Sequence, residues 1–206
     1  MIDQLPLVII GLLISLSVHE WAHAYSAYLL GDDTAALQGR LTLNPLAHLD
    51  PVGTVFMILS SLSGVFIGWA KPVPVNPYNL NNQKRDMALV ALAGPFSNLV
   101  LALLTIVIIK LLVGMGGGVL LGSFLQLFFT INISLMAFNL LPVAPLDGSK
   151  IIGLIVPDGM YYQYNQYLQY GPYILIAILI GEFSLNIPIL SWWMNAIVNP
   201  VVALLT

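Results

Sequence analysis

Apolar runs recur along this chain, most of them about long enough to cross a bilayer. Six stand out, at about residues 5–30, 52–70, 87–113, 119–141, 171–183 and 187–205. A spanning helix needs about 20 mostly apolar residues. Only 7% of the 206 residues are charged and 59% are hydrophobic, against roughly 25% charged in an ordinary soluble domain. That leaves too little charge to solvate a surface of this size and no basic patch to neutralise phosphates, which excludes a soluble domain, a disordered chain, a coiled coil and a nucleic-acid binder. The expectation is an all-α polytopic membrane protein in one domain over 1–206, with a core at about 5–156 and C-terminal membrane segments at about 160–206. Met1-Ile2-Asp3-Gln4 has no positive n-region, and no small-residue cleavage site follows the first apolar run, so that run is expected to stay.

The segments are punctuated by turns. Residues 31–50 carry Gly31-Asp32-Asp33, Gly39 and Asn44-Pro45, and residues 114–118 are glycine-rich. Lys71-Pro72-Val73-Pro74-Val75-Asn76-Pro77 alternates proline with valine, so it cannot be helix and reads as extended backbone. A short helix is expected at about 148–156. Tyrosines cluster from Tyr161 to Tyr173, a composition that favours the membrane interface.

Cysteine is absent, so any transition metal must be held by His, Asp or Glu, and there are three His. Two of them fall in His19-Glu20-Trp21-Ala22-His23, which fits H-E-x-x-H. Residues four apart share a helix face, so His19 and His23 can aim ring nitrogens at one ion. Glu20 lies about 100° around the helix and can reach a water on the metal without being a ligand. This is the zinc hydrolase arrangement, with Glu20 as base. Packed polar residues on an interhelical face are the plainer alternative. Against it, ionised groups in a span cost up to roughly 2.5–3.5 kcal/mol, and here they concentrate in one pentapeptide. Catalytic zinc takes three protein ligands and a water. His48 and the acidic residues remain for the third place, and Asp147 is the favourite. It sits in a Pro-Leu-Asp-Gly turn after an apolar segment, where irregular backbone must line protein or a cavity.

Several motifs in order resemble the site-2 protease family of intramembrane zinc metalloproteases, in its small bacterial form. They are HEWAHAY (19–25), GRLTLNPLAHLDPVGT (39–54), GWAKPVPVNP (68–77), AGPFSN (93–98) and NLLPVAPLDG (139–148), within a likeness covering about 5–155. The resemblance implies one zinc ion per chain held by His19, His23 and Asp147, with Glu20 as catalytic base. The family's Gly-x-x-x-Asn maps to Gly94 and Asn98, and its Asn is thought to face the active site. Asn98 then has two readings: a donor to the scissile carbonyl's developing oxyanion, or an interhelical hydrogen bond. No PDZ, CBS or large soluble domain is expected. The implied partners are a membrane-protein substrate with a transmembrane helix and the lipid bilayer, with no nucleic acid.

His19 lies eleven residues before Leu30 and Asn98 eleven after Met87, which sets both about 16 Å from one membrane edge. Residues 31–50 and 71–86 then share a side, and 52–70 becomes a re-entrant segment, with a plain crossing as the second choice. Arg40, Lys71, Lys84, Arg85 and Lys150 fall on that side and Lys110 opposite, so the positive-inside rule makes it cytoplasmic. The site is expected nearer the cytoplasmic face of a bacterial cell membrane. The 73–76 stretch is either a rigid linker or an edge on which a substrate strand pairs. His48 and Asp50 are expected to organise their loop, and Asn139 to tie down the proline-broken turn.

Two rivals remain. A metal transporter would use the His and Asp residues as a transit site, but such proteins show repeated halves with matched broken helices. Here the His pair and the Asp147 loop each occur once. A catalytically inactive membrane scaffold would need neither the ligands nor Glu20.

Overall fold

The computed structural model describes residues 5–55, 69–114 and 118–205. Among these, regular structure is helical, apart from one isolated antiparallel bridge between Leu49 and Ala70. The helices that matter are α1 (Leu5–Leu29), α2 (Gln83–Gly114), α3 (Val119–Asn139), α4 (Asp147–Gly153), α5 (Tyr161–Ser184) and α6 (Ile189–Leu205).

Local sequence explains where they start and stop. α1 ends because Gly31 takes φ +107°, and the Gly31 N–H bonds the Tyr28 carbonyl while the Asp32 N–H bonds that of Ala27. This paired closure satisfies carbonyls the helix would otherwise leave open. α2 begins at a reciprocal cap. The Asn82 side chain accepts the Arg85 N–H at 3.0 Å, and Asp86 accepts the Asn82 N–H at 2.7 Å. At the far end, Glu182 accepts the Leu190 N–H at 2.9 Å and the Ser191 hydroxyl, joining α5 to the first turn of α6.

α1, α2 and α3 pack against one another, and α4 lies on α2. α6 covers α3 through Ile197, Val198 and Val201 against Ala102, Ile133 and Met136. α5 covers the turn after α3, with Ile174, Leu175 and Ile178 around Leu141, Val143 and Leu146. The bundle buries Ser15, Ser17, His19, Glu20, His23, Asn98 and Asn132 while Ile10, Ile14, Leu104 and Val107 stay exposed. Apolar outside and polar inside is the distribution a lipid solvent selects.

Among the described residues, three helices are long and apolar enough to cross a membrane: Leu5–Leu29, Gln83–Leu112 and Leu120–Asn139. Asp158–Ser184 and Ile189–Ala203 qualify only as a pair, bent by 94° at a short break. The all-helical expectation holds for the described residues, but six hydrophobic segments are not confirmed there: the last two helices qualify as a span only together. The expected re-entrant course of 52–70 falls mostly on residues 56–68, outside the described residues. α5 also starts at Tyr161, ten residues before the apolar run at 171, and two of its tyrosines pack inward while Tyr162, Tyr170 and Tyr173 stay exposed. Tyr164 is buried with its hydroxyl on the Ser149 carbonyl at 3.0 Å, and Tyr167 donates to the Pro142 carbonyl. The short helix after the Asp147 turn covers Asp147–Gly153 rather than 148–156.

Candidate metal centre

α1 carries His19 and His23 one turn apart, facing α2 and the turn that leads into α4. Asp147, the first residue of α4, meets them there. The three ligand atoms form a small triangle: His19 Nε2 to His23 Nε2 is 3.0 Å, and Asp147 Oδ2 lies 3.2 Å from each. All three residues are buried.

The outer ring nitrogens decide what this triangle can hold. His23 Nδ1 lies 2.7 Å from the Val90 carbonyl, which can only accept, so Nδ1 carries the proton. His19 Nδ1 donates in the same way to Asn98 Oδ1 at 2.6 Å. In its neutral form each imidazole then turns a lone pair inward, where the pairs meet each other and a carboxylate oxygen. Three acceptors facing one point call for a cation. A tetrahedral ion with bonds of about 2.0–2.2 Å separates its ligand atoms by about 3.3–3.6 Å. The edges found here need open by only a few tenths of an ångström. Nitrogen and oxygen donors with open fourth access suit zinc.

Two glycines make the approach possible. A Cβ on Gly94 would come within 2.4 Å of His23 Nε2 and 2.6 Å of His19 Cε1, so only a bare backbone lets α2 reach the rings. A Cβ on Gly148 would meet the Leu140 carbonyl oxygen at 2.2 Å, so the 140–148 turn can close only on glycine. Pro95 removes one donor from the α2 ladder next to the Val90 turn that serves His23.

Glu20 is buried beside the triangle, and its Oε2 accepts the Val73 backbone N–H at 2.9 Å. The proline–valine stretch is extended, as its sequence requires, and lies over the site. The Lys71 N–H bonds the His48 carbonyl at 2.8 Å, and Arg40 holds the Lys71 carbonyl at 2.7 Å. At its far end Asp32 accepts the Asn76 N–H at 2.7 Å, the Asn79 amide at 2.9 Å and both the N–H and hydroxyl of Thr34. Burial pushes the Asp32 carboxyl up, but these hydrogen bonds outweigh it and hold the group below the usual carboxylate range. A cavity of about 120 Å³ between this stretch and α1 is lined by His19, Glu20, His23, Val73, Asp147 and Lys150, among others. A larger apolar cavity of about 420 Å³, bordered by Ser17, His48, Trp69 and Phe138, contains none of the candidate ligands.

Of the residues singled out in the sequence, His19, Glu20, His23 and Asp147 come together around one cavity. Asn98 lies behind His19 rather than in that cavity. It is fully buried, and its amide N–H group points to Asn132 Oδ1 at 2.9 Å and the Ser15 carbonyl at 3.5 Å. This placement fits the interhelical reading and not an oxyanion donor. His48 is away from the triangle, with Nε2 on the Thr42 carbonyl at 2.7 Å, and Asp50 accepts the Gly53 N–H at 2.7 Å. Asn139 lines the small cavity and donates to the Leu135 carbonyl at 3.0 Å. Asn132 and the Val73 N–H were not anticipated. Asn132 had a signal, as a second amide inside an apolar span, whereas nothing in the sequence around Val73 pointed to Glu20.

The chain matches the family model of peptidase family M50 over residues 7–119 and 116–180. It is 40% identical over 185 residues to "Putative zinc metalloprotease YwhC" of Bacillus subtilis, covering 87% of this chain and 82% of that protein. Against "Putative zinc metalloprotease Rip2" of Mycobacterium tuberculosis it is 36% identical over 149 residues, covering 69% of this chain and 54% of that protein. The chain thus matches about half the length of Rip2. No solved structure matches it.

Proposed function

The chain belongs to peptidase family M50, and from that premise we propose that it is an intramembrane zinc metalloendopeptidase, cutting membrane-protein substrates in or near a transmembrane helix. The observation that carries this reading is the depth of the ligand triangle. His19 stands ten residues, roughly 15 Å, before the end of a helix fit to span a bilayer.

Zinc held by His19, His23 and Asp147 would supply a water acidified towards neutrality and polarisation of the scissile carbonyl. Glu20 is the base that takes the water's proton and returns one to the leaving amine. Its Oε2 is steadied by the Val73 N–H, which leaves Oε1 to receive the proton. The two rings are oriented by their own hydrogen bonds, to Asn98 and Val90, and need not reorganise during the reaction. Lys150, on the same face of α4 as Asp147 and lining the same cavity, adds positive potential where oxyanion charge develops.

The substrate must present an unwound peptide, since helical carbonyls are bonded and shielded. The extended 71–76 stretch offers a backbone edge at the cavity on which it can pair. The chain ends that hold Arg40, Lys71, Lys84 and Arg85 lie together beyond the C-terminus of α1 and the N-terminus of α2. The positive-inside rule then favours a cytoplasmic entrance for water. Reporter fusions after Asp50 and after Asn81 should both report cytoplasm, and opposite locations would overturn this orientation.

The central test is Glu20→Gln, with bound zinc measured and cleavage of a transmembrane-helix substrate followed in detergent. Turnover should fall by about 10²–10⁴-fold while zinc stays at the wild-type level. Cleavage that survives the substitution would overturn the assignment of Glu20, and a wild-type protein that binds zinc but cleaves no transmembrane substrate would overturn the function.

A further inference from the structure

His23 takes its orientation from a backbone carbonyl, but His19 takes its own from a chain of two side-chain amides. Asn132, on α3, donates through Nδ2 to the Phe128 carbonyl at 2.9 Å, one turn earlier in the same helix. A carbonyl only accepts, so this contact fixes which end of the Asn132 amide faces α2: Oδ1. Asn98 must answer with Nδ2, at 2.9 Å, with the Ser15 carbonyl of α1 at 3.5 Å on its other side. Its Oδ1 is thereby turned to His19 Nδ1, at 2.6 Å. The proton is then held at Nδ1, and the Nε2 lone pair faces His23 and Asp147. Each link is forced by the one before it, and both amides are fully buried.

We propose that Asn132 is a positioning residue for the metal centre: acting through Asn98, it fixes the tautomer and ring orientation of His19. This rests on the reading of His19, His23 and Asp147 as a zinc site. An amide pair serving only as interhelical glue would work equally well in either orientation. Here a reversed Asn98 would present N–H to Nδ1, move the imidazole proton to Nε2 and block the ligand position. Partners of this outer kind typically govern metal affinity by 10–100-fold.

The test uses the full chain in detergent, with zinc affinity from chelator competition and Co²⁺ substitution read by its visible spectrum. Asn132→Leu removes the acceptor that orients Asn98, and zinc affinity should fall by about 10–100-fold. Asn132→Asp, which burial keeps as the neutral acid, donates its O–H to the Phe128 carbonyl and keeps an acceptor oxygen towards Asn98, so it should bind zinc and show the cobalt spectrum of wild type. Equal binding by wild type and the Leu variant would overturn the proposal, and so would equal losses in the Leu and Asp variants, which mark a packing effect. A measurement without any variant guards against misfolding. In ¹⁵N-histidine-labelled, metal-free wild type at mildly alkaline pH, His19 should be the Nδ1–H tautomer, and an Nε2–H tautomer would overturn the relay. Failure of the underlying site looks different: wild type itself would then bind no zinc.

Discussion

The Gly94 backbone lies directly against the His23 imidazole, so that a Cβ at 94 would stand 2.4 Å from Nε2. The His19 ring is nearly as close, at 2.6 Å from the same point. α2 is held against α1 and α3 over much of its length, so it cannot simply retreat. Gly94→Ala should instead push the two rings off their inward course. Bound zinc, measured by metal analysis after gel filtration, should drop more than about tenfold, the scale of a disrupted ligand shell. Helix content by circular dichroism should be unchanged, because alanine favours helix more than glycine does. Full zinc occupancy in this variant would mean that the rings relocate without cost.

How the site came to be legible follows from periodicity. His19 and His23 are four apart on a helix with no glycine or proline between Gly11 and Gly31, so their shared face can be read from the sequence. Counting residues from matching membrane edges also brought Asn98 to the depth of His19, and the two now touch. What Asn98 does there could not be counted, because its orientation is set by Asn132, thirty-four residues on in another helix. The Glu20–Val73 bond was hidden for the same reason: it joins a helix to extended backbone 53 residues away. The start of α5 was missed on different grounds. Two of the tyrosines that suggested an interface, Tyr164 and Tyr167, are helix residues whose hydroxyls reach inward to the turn around Asp147, a preference visible only once that turn is in place.

Val73 and Val75 present backbone on the side of the extended stretch that faces the small cavity. Pro72 and Pro74 carry no N–H, so pairing on this stretch is sparse and each donated bond counts. A substrate strand docking here needs its own N–H groups opposite the valine carbonyls. Proline scanned through a cleavable substrate should abolish cleavage at positions opposite this edge, with gel-based cleavage as the readout, while proline a few residues away is tolerated. Uniform tolerance across the scan would make the stretch a rigid linker.

Tyr164 braces the ligand turn from outside. Its hydroxyl bonds the Ser149 carbonyl, two residues beyond Asp147, and its ring lies where a Cβ on Gly153 would fall, 2.6 Å from the hydroxyl oxygen. Tyr164→Phe removes the hydrogen bond and keeps the ring. The expected loss is about 1 kcal/mol or less, since such bonds average about 0.6 kcal/mol between membrane helices. A thermal midpoint lowered by a few degrees with zinc still bound is the expected result. Loss of zinc at unchanged stability would give Tyr164 a more direct part in holding Asp147.

Asp32 ties the far end of the extended stretch, and its four hydrogen bonds make that tie depend on pH. The folded-state carboxyl lies below its usual range, because the bonds from Thr34, Asn76 and Asn79 outweigh the burial that opposes them. A group whose folded pKa is depressed stabilises the fold fully above its unfolded value, about 3.9, and loses that stabilisation as pH falls towards the folded value. Asp32→Asn should therefore be less stable than wild type at neutral pH. It would turn an amide N–H group towards the Asn76 or Asn79 donors, at a cost of about 1–3 kcal/mol. The gap should hold down to about pH 4 and narrow below it, as the wild-type carboxyl takes up its proton. Thermal midpoints of both proteins should be compared after zinc removal, so that release of the metal in acid does not contribute. A gap that stays constant into strong acid would show that Asp32 acts through shape alone, not through its charge.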